Sequence, residues 1–407
     1  MPITVGRIHV LGVLAVLFCS SPGVAATRNA ANCSSAAVQS AINSAANGDT
    51  VAVPAGNCTW SSNLAISDKS ITVQGAGAGQ TVISGSGFNL TNAASRITGF
   101  TFNQTGAYWA ITGSIGFRID HNTIARGNWD FCLFVIGSLD GTRSLKPSEG
   151  LIDNNTLTNC RIIAYGEFQD TGGKDRWSEP LVLGDGHSLF VEDNSYSITD
   201  PGCTTGGSVA CNFVDDNVGG KYVARFNTIT NSYFEGHSLQ SSGAERGGRA
   251  VEIYNNTLTI TAFSGFSRPY FIRGGTGMIF HNSQTQNYSE NHIDFDNVRT
   301  CENRGAPFNQ CDGTSFIDGN ADSSGWPCRD QIGRSTDAAF WNFGNPAPAQ
   351  AAAPFYIWKN TSPAGEVTVA LNSWDQCSAA EEMRMSQQIR ANRDYYQYNS
   401  AFNGTAG

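Results

Sequence analysis

Short apolar stretches that alternate with polar residues and end in asparagine recur along this chain. They read FRIDHNTI around Asn122, GLIDNNTL around Asn155, LFVEDNSY around Asn194, YVARFNTI around Asn227, VEIYNNTL around Asn256 and MIFHNSQ around Asn282. Self-similarity at a spacing of roughly 20 to 40 residues marks a stacked repeat, whose units bury their apolar faces only against one another. From Leu64 to Asn282 the order is strand, turn, strand, with glycine at the bends, as in SITVQGAG, TVISGSG and RITGFTFNQT. Corners this short leave no room for crossover helices, which excludes a doubly wound sheet and predicts a parallel β-helix.

At each bend an inward Asn amide supplies both a donor and an acceptor to unpaired backbone and pairs with the Asn of the next coil. Asn also tolerates the left-handed backbone a bend needs. The Asn series is therefore read as structural, as are His121 and His281, which directly precede ladder asparagines.

Ahead of the repeats, Val38, Ile42 and Ala45 fall on one helical face, Asn47-Gly48-Asp49 stops the helix, and Thr50 to Val53 is the first strand before a Pro54-Ala55-Gly56 turn. Such a helix covers the open end of a strand stack. Beyond Asn282 the repeat fades. Ser378-Ala379-Ala380-Glu381 has the form of a capping box and predicts a helix through Asn392. The expected organisation is a signal segment over 1–26, a single-stranded β-helix over 27–298, and a disulfide-containing extension over 299–407 that packs on it.

Arg7, the apolar run Leu11 to Phe18 and the small residues Gly23-Val24-Ala25-Ala26 have the layout of a secretory signal cut after Ala26. Phe18 before Cys19 lacks the small residue of a lipid-anchor site. No second apolar run reaches the ~18 residues of a membrane span. Removal of the signal leaves an even set of cysteines, which suits an oxidising compartment. Proximity pairs them as Cys33–Cys58, Cys132–Cys160, Cys203–Cys211 and Cys301–Cys311, with Cys328–Cys377 remaining. No Cys-x-x-Cys spacing supports zinc. A net charge of −9 with only 14% charged residues excludes a basic nucleic-acid binder and a disordered acidic tail.

The covering helix, the ladder of Asn turns and the VAVPAG first coil resemble the pectate-lyase-like superfamily of secreted right-handed parallel β-helix proteins, over roughly residues 33 to 295. The resemblance implies the fold. Activity varies within that superfamily, which includes polysaccharide lyases, glycoside hydrolases, esterases and non-catalytic adhesins.

Counting back from each ladder Asn brings candidate residues into register. Nine before Asn194 is Asp185, nine before Asn282 is Arg273, and eleven before Asn227 is Asp216 with Asp215 beside it. A second row holds His187, Lys221 and Arg249, and the intervening FEGHSLQSSGAERGGRAVEIYNN adds His237, Glu245 and Arg246. Stacked coils would place these about 4.8 Å apart. For elimination on a uronic-acid polymer, Asp215 and Asp216 bind calcium, Asp185, His187 and Arg273 hold substrate, and His237 or Lys221 takes the C5 proton. By resemblance to calcium-dependent lyases, Arg246 and Arg249 are also candidate bases.

For hydrolysis the same acids flank a glycosidic bond, and the order Asp185, Asp215-Asp216, Gly236-His237, Arg246 to Arg249 loosely resembles polygalacturonase-type enzymes. A non-catalytic rod that binds carbohydrate is the third reading. Asp318, Asn320 and Asp322 alternate like a calcium loop, but the sixth-position Gly is missing and Arg329 stands where a Glu is needed. Trp129, Trp177, Tyr233, Phe266 and Tyr270 are candidate sugar-stacking rings. The expected partner is an acidic polysaccharide, acted on by a monomer with no organic cofactor.

Overall fold

The computed structural model describes residues 25–139, 145–167, 174–204, 211–238, 246–261, 268–286, 288–296, 329–337, 350–372 and 388–398. Residues 1–24 of the expected signal segment, Glu245, Phe266, the loop around Asp318 to Asp322, Cys301, Cys311, Cys328, Cys377 and most of the C-terminal helix lie outside the described residues.

The chain winds into a right-handed parallel β-helix with three sheet faces. Among the described residues the first face has 12 strands, from Thr27–Asn29 and Thr50–Val53 through Lys221–Arg225, Ala250–Tyr254 and Thr276–Phe280 to Phe355–Trp358 and Tyr395–Tyr398. The second and third faces are joined by two long strands, Thr123–Ile136 and Thr156–Tyr165, which run round the corner between them. Val214–Asn217, Phe234–Gly236, Tyr270–Ile272 and Ile293–Asp296 continue the third face.

Alternation along each strand fixes what fills the interior. Ile97, Ile119, Ile152, Val191, Ala224, Ile253, Ile279 and Ile357 stand in one register row down the first face, all buried. Each full burial of an Ile or Val stabilises by roughly 1.5–3 kcal/mol. Stacking puts like on like.

The asparagine ladder runs from Asn122 through Asn155, Asn194, Asn227, Asn256 and Asn282. Each backbone N–H donates to the Oδ1 of the Asn one coil on, and each Nδ2 donates both to that oxygen and to a carbonyl of the coil before. The left-handed residue is not the ladder Asn but the one before it: His121, Asn154, Asp193, Phe226, Asn255 and His281 have φ between 53° and 59°. The ladder position is Asn for its amide, not for its backbone.

One ladder residue escaped the sequence reading. Asn282 donates to Asn360, 78 residues on, and Phe355–Trp358, Val369–Asn372 and Tyr395–Tyr398 add further strands. The β-helix therefore extends past residue 298, and the long stretch before Asn360 is what hid the repeat.

At the other end the helix Ser35–Ser44 starts on Ser34, whose Oγ accepts from the Ala37 N–H, and buries Val38, Ala41 and Ile42. A strand, Thr27–Asn29, pairs ahead of the first expected one. Cys33–Cys58, Cys132–Cys160 and Cys203–Cys211 form disulfides. Among the described residues no helix is long and apolar enough to cross a membrane.

Candidate active site

Corners between the third and first faces differ in length, and this decides which candidates meet. Asn217 reaches Lys221 through a tight Val218-Gly219-Gly220 turn. By contrast, Tyr165 is followed by a long excursion that rejoins the first face only at Leu189. The Arg249 backbone N–H donates to the Gly220 carbonyl, so Arg249 and Lys221 sit at the start of neighbouring coils. The excursion folds over them and brings Arg176, Asp185 and His187. It is held there by buried Trp177, whose Nε1 donates to the Gly247 carbonyl.

Lys221 is the centre of this group, with its side chain 9% exposed and Nζ 4.0 Å from Asp185 Oδ1. Burial, then the positive charge of Arg176, and more weakly that of Arg249, lower its pKa against the opposing pull of Asp185 and Glu149. His187 Nδ1 lies 3.1 Å from Glu149 Oε2, and Arg176 lies 3.9 Å from Glu149 and 3.0 Å from Glu179. Arg249 is buried and donates to the backbone carbonyls of Arg176 and Glu179. Glu252 accepts from the Gly184 N–H, and burial raises its pKa, helped by Asp185.

A groove of about 540 Å³ opens along the outside of the first face. Arg118, Glu149, Leu151, His187, Phe190 and Arg225 line it. Glu149 and His187 belong to both groove and lysine cluster. Charge, desolvation and an open surface meet at this point, as proton-transfer chemistry requires.

A second group lies on the outer surface of the third face. Asp215 and Glu235 share a register row, Arg161 Nη2 is 2.5 Å from Asp215, and Arg273 pairs with Glu235. His237 Nδ1 accepts from Arg273 at 2.5 Å and lies 3.4 Å from Asp215 and 3.6 Å from Glu235. Burial works against the Glu235 charge, but Arg273 and His237 outweigh it and hold that carboxyl below its ordinary range. Asp215, Glu235 and His237 place one ligand atom each within 4.8 Å of one another. A guanidinium already sits on each carboxylate, and one of three donors is nitrogen. Calcium wants six to eight oxygens, so this set fits it badly.

The expected Asp215–Asp216 metal pair does not form, because neighbours on a strand point to opposite sides. Asp216 faces inward, accepts from the His237 N–H, and would collide with a Cβ at Gly248. Burial, then Asp215, raise its pKa well above normal. Arg246 is likewise placed away from any open surface: it forms a two-pronged ion pair with Asp330, both side chains fully buried, with its guanidinium 4.9 Å from the Trp177 ring. It ties this corner to the C-terminal segment. Trp177, Tyr233 and Tyr270 are fully buried, and Trp129 covers Arg161.

The structure thus brings Lys221, Asp185, His187 and Arg249 together and places Asp215, His237 and Arg273 in a separate network. The sequence reading missed Glu149, Arg176 and Glu252 in the first group and Arg161 and Glu235 in the second. A charged GKDRWSEP in a chain so poor in charge was the available signal for Arg176.

No family model matches the chain, and no curated protein matches it. Among solved structures it is similar to an alginate lyase from Paenibacillus sp., at 15% identity over 85% of this chain and 99% of that one, with a TM-score of 0.32. It is also similar to a PL6 family polysaccharide lyase from Pseudopedobacter saltans, at 10% identity over 93% of each chain, TM-score 0.43. A third is the catalytic domain of a GH87 alpha-1,3-glucanase, at 10% identity over 90% of this chain and 66% of that one, TM-score 0.33.

Proposed function

We propose that the chain is a secreted polysaccharide lyase that cleaves a uronic-acid polymer by β-elimination. The observation that carries this reading is Lys221, an amine almost out of water whose pKa is lowered, beside an open groove. A lowered amine pKa enlarges the neutral fraction that can act as a base. The guanidiniums of Arg176 and Arg249, which help lower its proton affinity, also supply the positive field that a uronate carboxylate needs before its C5 proton can leave. Neutral Nζ of Lys221 takes that proton, the C5–H electron pair becomes the C4=C5 double bond, the C4–O bond breaks, and the departing oxygen takes a proton from water. His187 and Asp185 hold sugar hydroxyls nearby. The three disulfides support an oxidising, extracytoplasmic setting.

Glu252 favours a second reading. Its raised pKa and the neighbouring Asp185 resemble the acid and base of a glycoside hydrolase. Incubation with pectate, alginate and glycosaminoglycans separates the two. Growth of the ultraviolet absorbance of an unsaturated uronide, abolished in Lys221→Met, is the lyase outcome. New reducing ends without that absorbance, abolished instead in Glu252→Gln, would replace it with hydrolysis.

A further inference from the structure

We propose that the groove on the first face is a polymer track, in which Phe190 forms the floor and Arg118, three coils before Lys221, and Arg225, at the far end of the Lys221 strand, grip the carboxylates of a uronic-acid chain. This rests on the uronate reading of the lysine cluster and adds the substrate's path to it. Arg118, Leu151 and Phe190 occupy one outward register row across three successive coils and line the groove, and Val223, next in the row, is buried. Two steps of about 4.8 Å give the open part of the row a length of roughly 10 Å. Lys221 stands on the same strand as Val223, so the open row stops one coil short of the proposed base, and Glu149 and His187 join the groove to it.

Both arginines are half-occupied. Arg118 spends Nε and Nη2 on Asp153 and Arg225 spends Nε on Glu192 and Nη1 on the Tyr254 hydroxyl, while their side chains remain 39% and 30% exposed. A guanidinium has five N–H donors in a fixed fork, so each keeps donors for a further carboxylate or hydroxyl while its present partner locks its orientation. Arg225 also lies 5.3 Å over the Phe190 ring, leaving the rest of that half-buried ring to the groove. Rings and cations set side by side recognise a sugar that is apolar on one face and anionic at its edge.

The opposite direction along the face is built differently. Tyr254, Phe280 and Trp358 stack at 4.6 and 4.1 Å with interplanar angles of 9° and 6°, so their faces close on one another and present only edges. A polymer therefore finds ring surface and free cation donors on the N-terminal side of Lys221.

The test uses the full chain with polygalacturonate and alginate of graded length. Arg118→Gln and Phe190→Ala are each expected to raise KM on long polymer about tenfold, the equivalent of one charge-assisted contact, with the effect shrinking as the substrate shortens. Arg118→Lys, which keeps a cation beside Asp153, should recover part of the loss, and unchanged melting temperatures separate this from misfolding. Long-polymer KM values within twofold of wild type in both variants would overturn the track. Should the wild type make no unsaturated product, the lyase reading fails by itself, and the track is judged by affinity electrophoresis. Retardation by polyuronate that weakens in Arg118→Gln supports it, and no retardation overturns it.

Discussion

Lys221 Nζ lies 4.0 Å from Asp185 Oδ1, yet its pKa is lowered, because burial and the guanidiniums of Arg176 and Arg249 outweigh the carboxylate. The two signs can be separated by mutation. An elimination base works as the neutral amine, so the rate climbs with pH until Lys221 has lost its proton. Removing a cation raises that pKa and removing the anion lowers it. Arg176→Gln should move the climb in kcat to higher pH and Asp185→Asn to lower pH, each by about one unit, or tenfold at a fixed pH on the limb. Shifts in the same direction, or none, would mean that another group sets the profile.

The fold was legible because a β-helix writes its period into the chain twice, in apolar alternation and in the Asn at each bend. The site was only half legible. Counting back from Asn194 and Asn256 puts His187 and Arg249 in true register, since both lie just ahead of first-face strands. The same count fails for Asp185 and Arg273, because the corner before Leu189 is a long excursion whereas Arg273 still belongs to the end of a third-face strand. It fails for Asp215 and Asp216 because a strand turns adjacent side chains to opposite sides. Glu149 and Arg176 were invisible, since only the folded corner brings them to Lys221.

Arginines, not a bound ion, are assigned the neutralising role. Asp215 and Glu235 already carry Arg161 and Arg273, and His237 is the third donor. Exhaustive dialysis against a chelator should leave the rate of unsaturated-product formation within about twofold of its starting value, since no calcium-like set of oxygens is assembled there. Loss of activity restored by added calcium would refute that assignment.

The ladder should be intolerant of small changes. Asn194 Oδ1 accepts from both the backbone N–H and Nδ2 of Asn155, while its own Nδ2 donates to Ile152 and Glu192 carbonyls. Asn194→Ala leaves buried donors and acceptors on both sides without partners and should cost roughly 3 kcal/mol or more by chemical denaturation. Asn194→Asp keeps the acceptor but turns an oxygen toward two carbonyls, so it should also destabilise, and less so in acid, where the carboxyl regains a proton to donate. Wild-type stability in the Asp variant would show that the amide donor is unimportant.

Phe226 holds the left-handed position, φ 59°, that His, Asn or Asp takes in the neighbouring coils, and its ring is 48% exposed. An L side chain of this bulk in that conformation costs roughly 1–2 kcal/mol. Its returns are contact with Arg225, whose guanidinium lies 5.7 Å from the ring, worth about 0.5–1 kcal/mol at an exposed site, and an edge-on contact with the Tyr254 ring at 6.3 Å between centroids. Phe226→Asn relieves the first and forfeits the second. The expected balance is a gain of up to about 1 kcal/mol, read as a raised melting temperature, with Phe226→Gly gaining less because glycine also frees the unfolded chain. A lower melting temperature in Phe226→Asn would mean that the ring's contacts with Arg225 and Tyr254 outweigh the backbone strain.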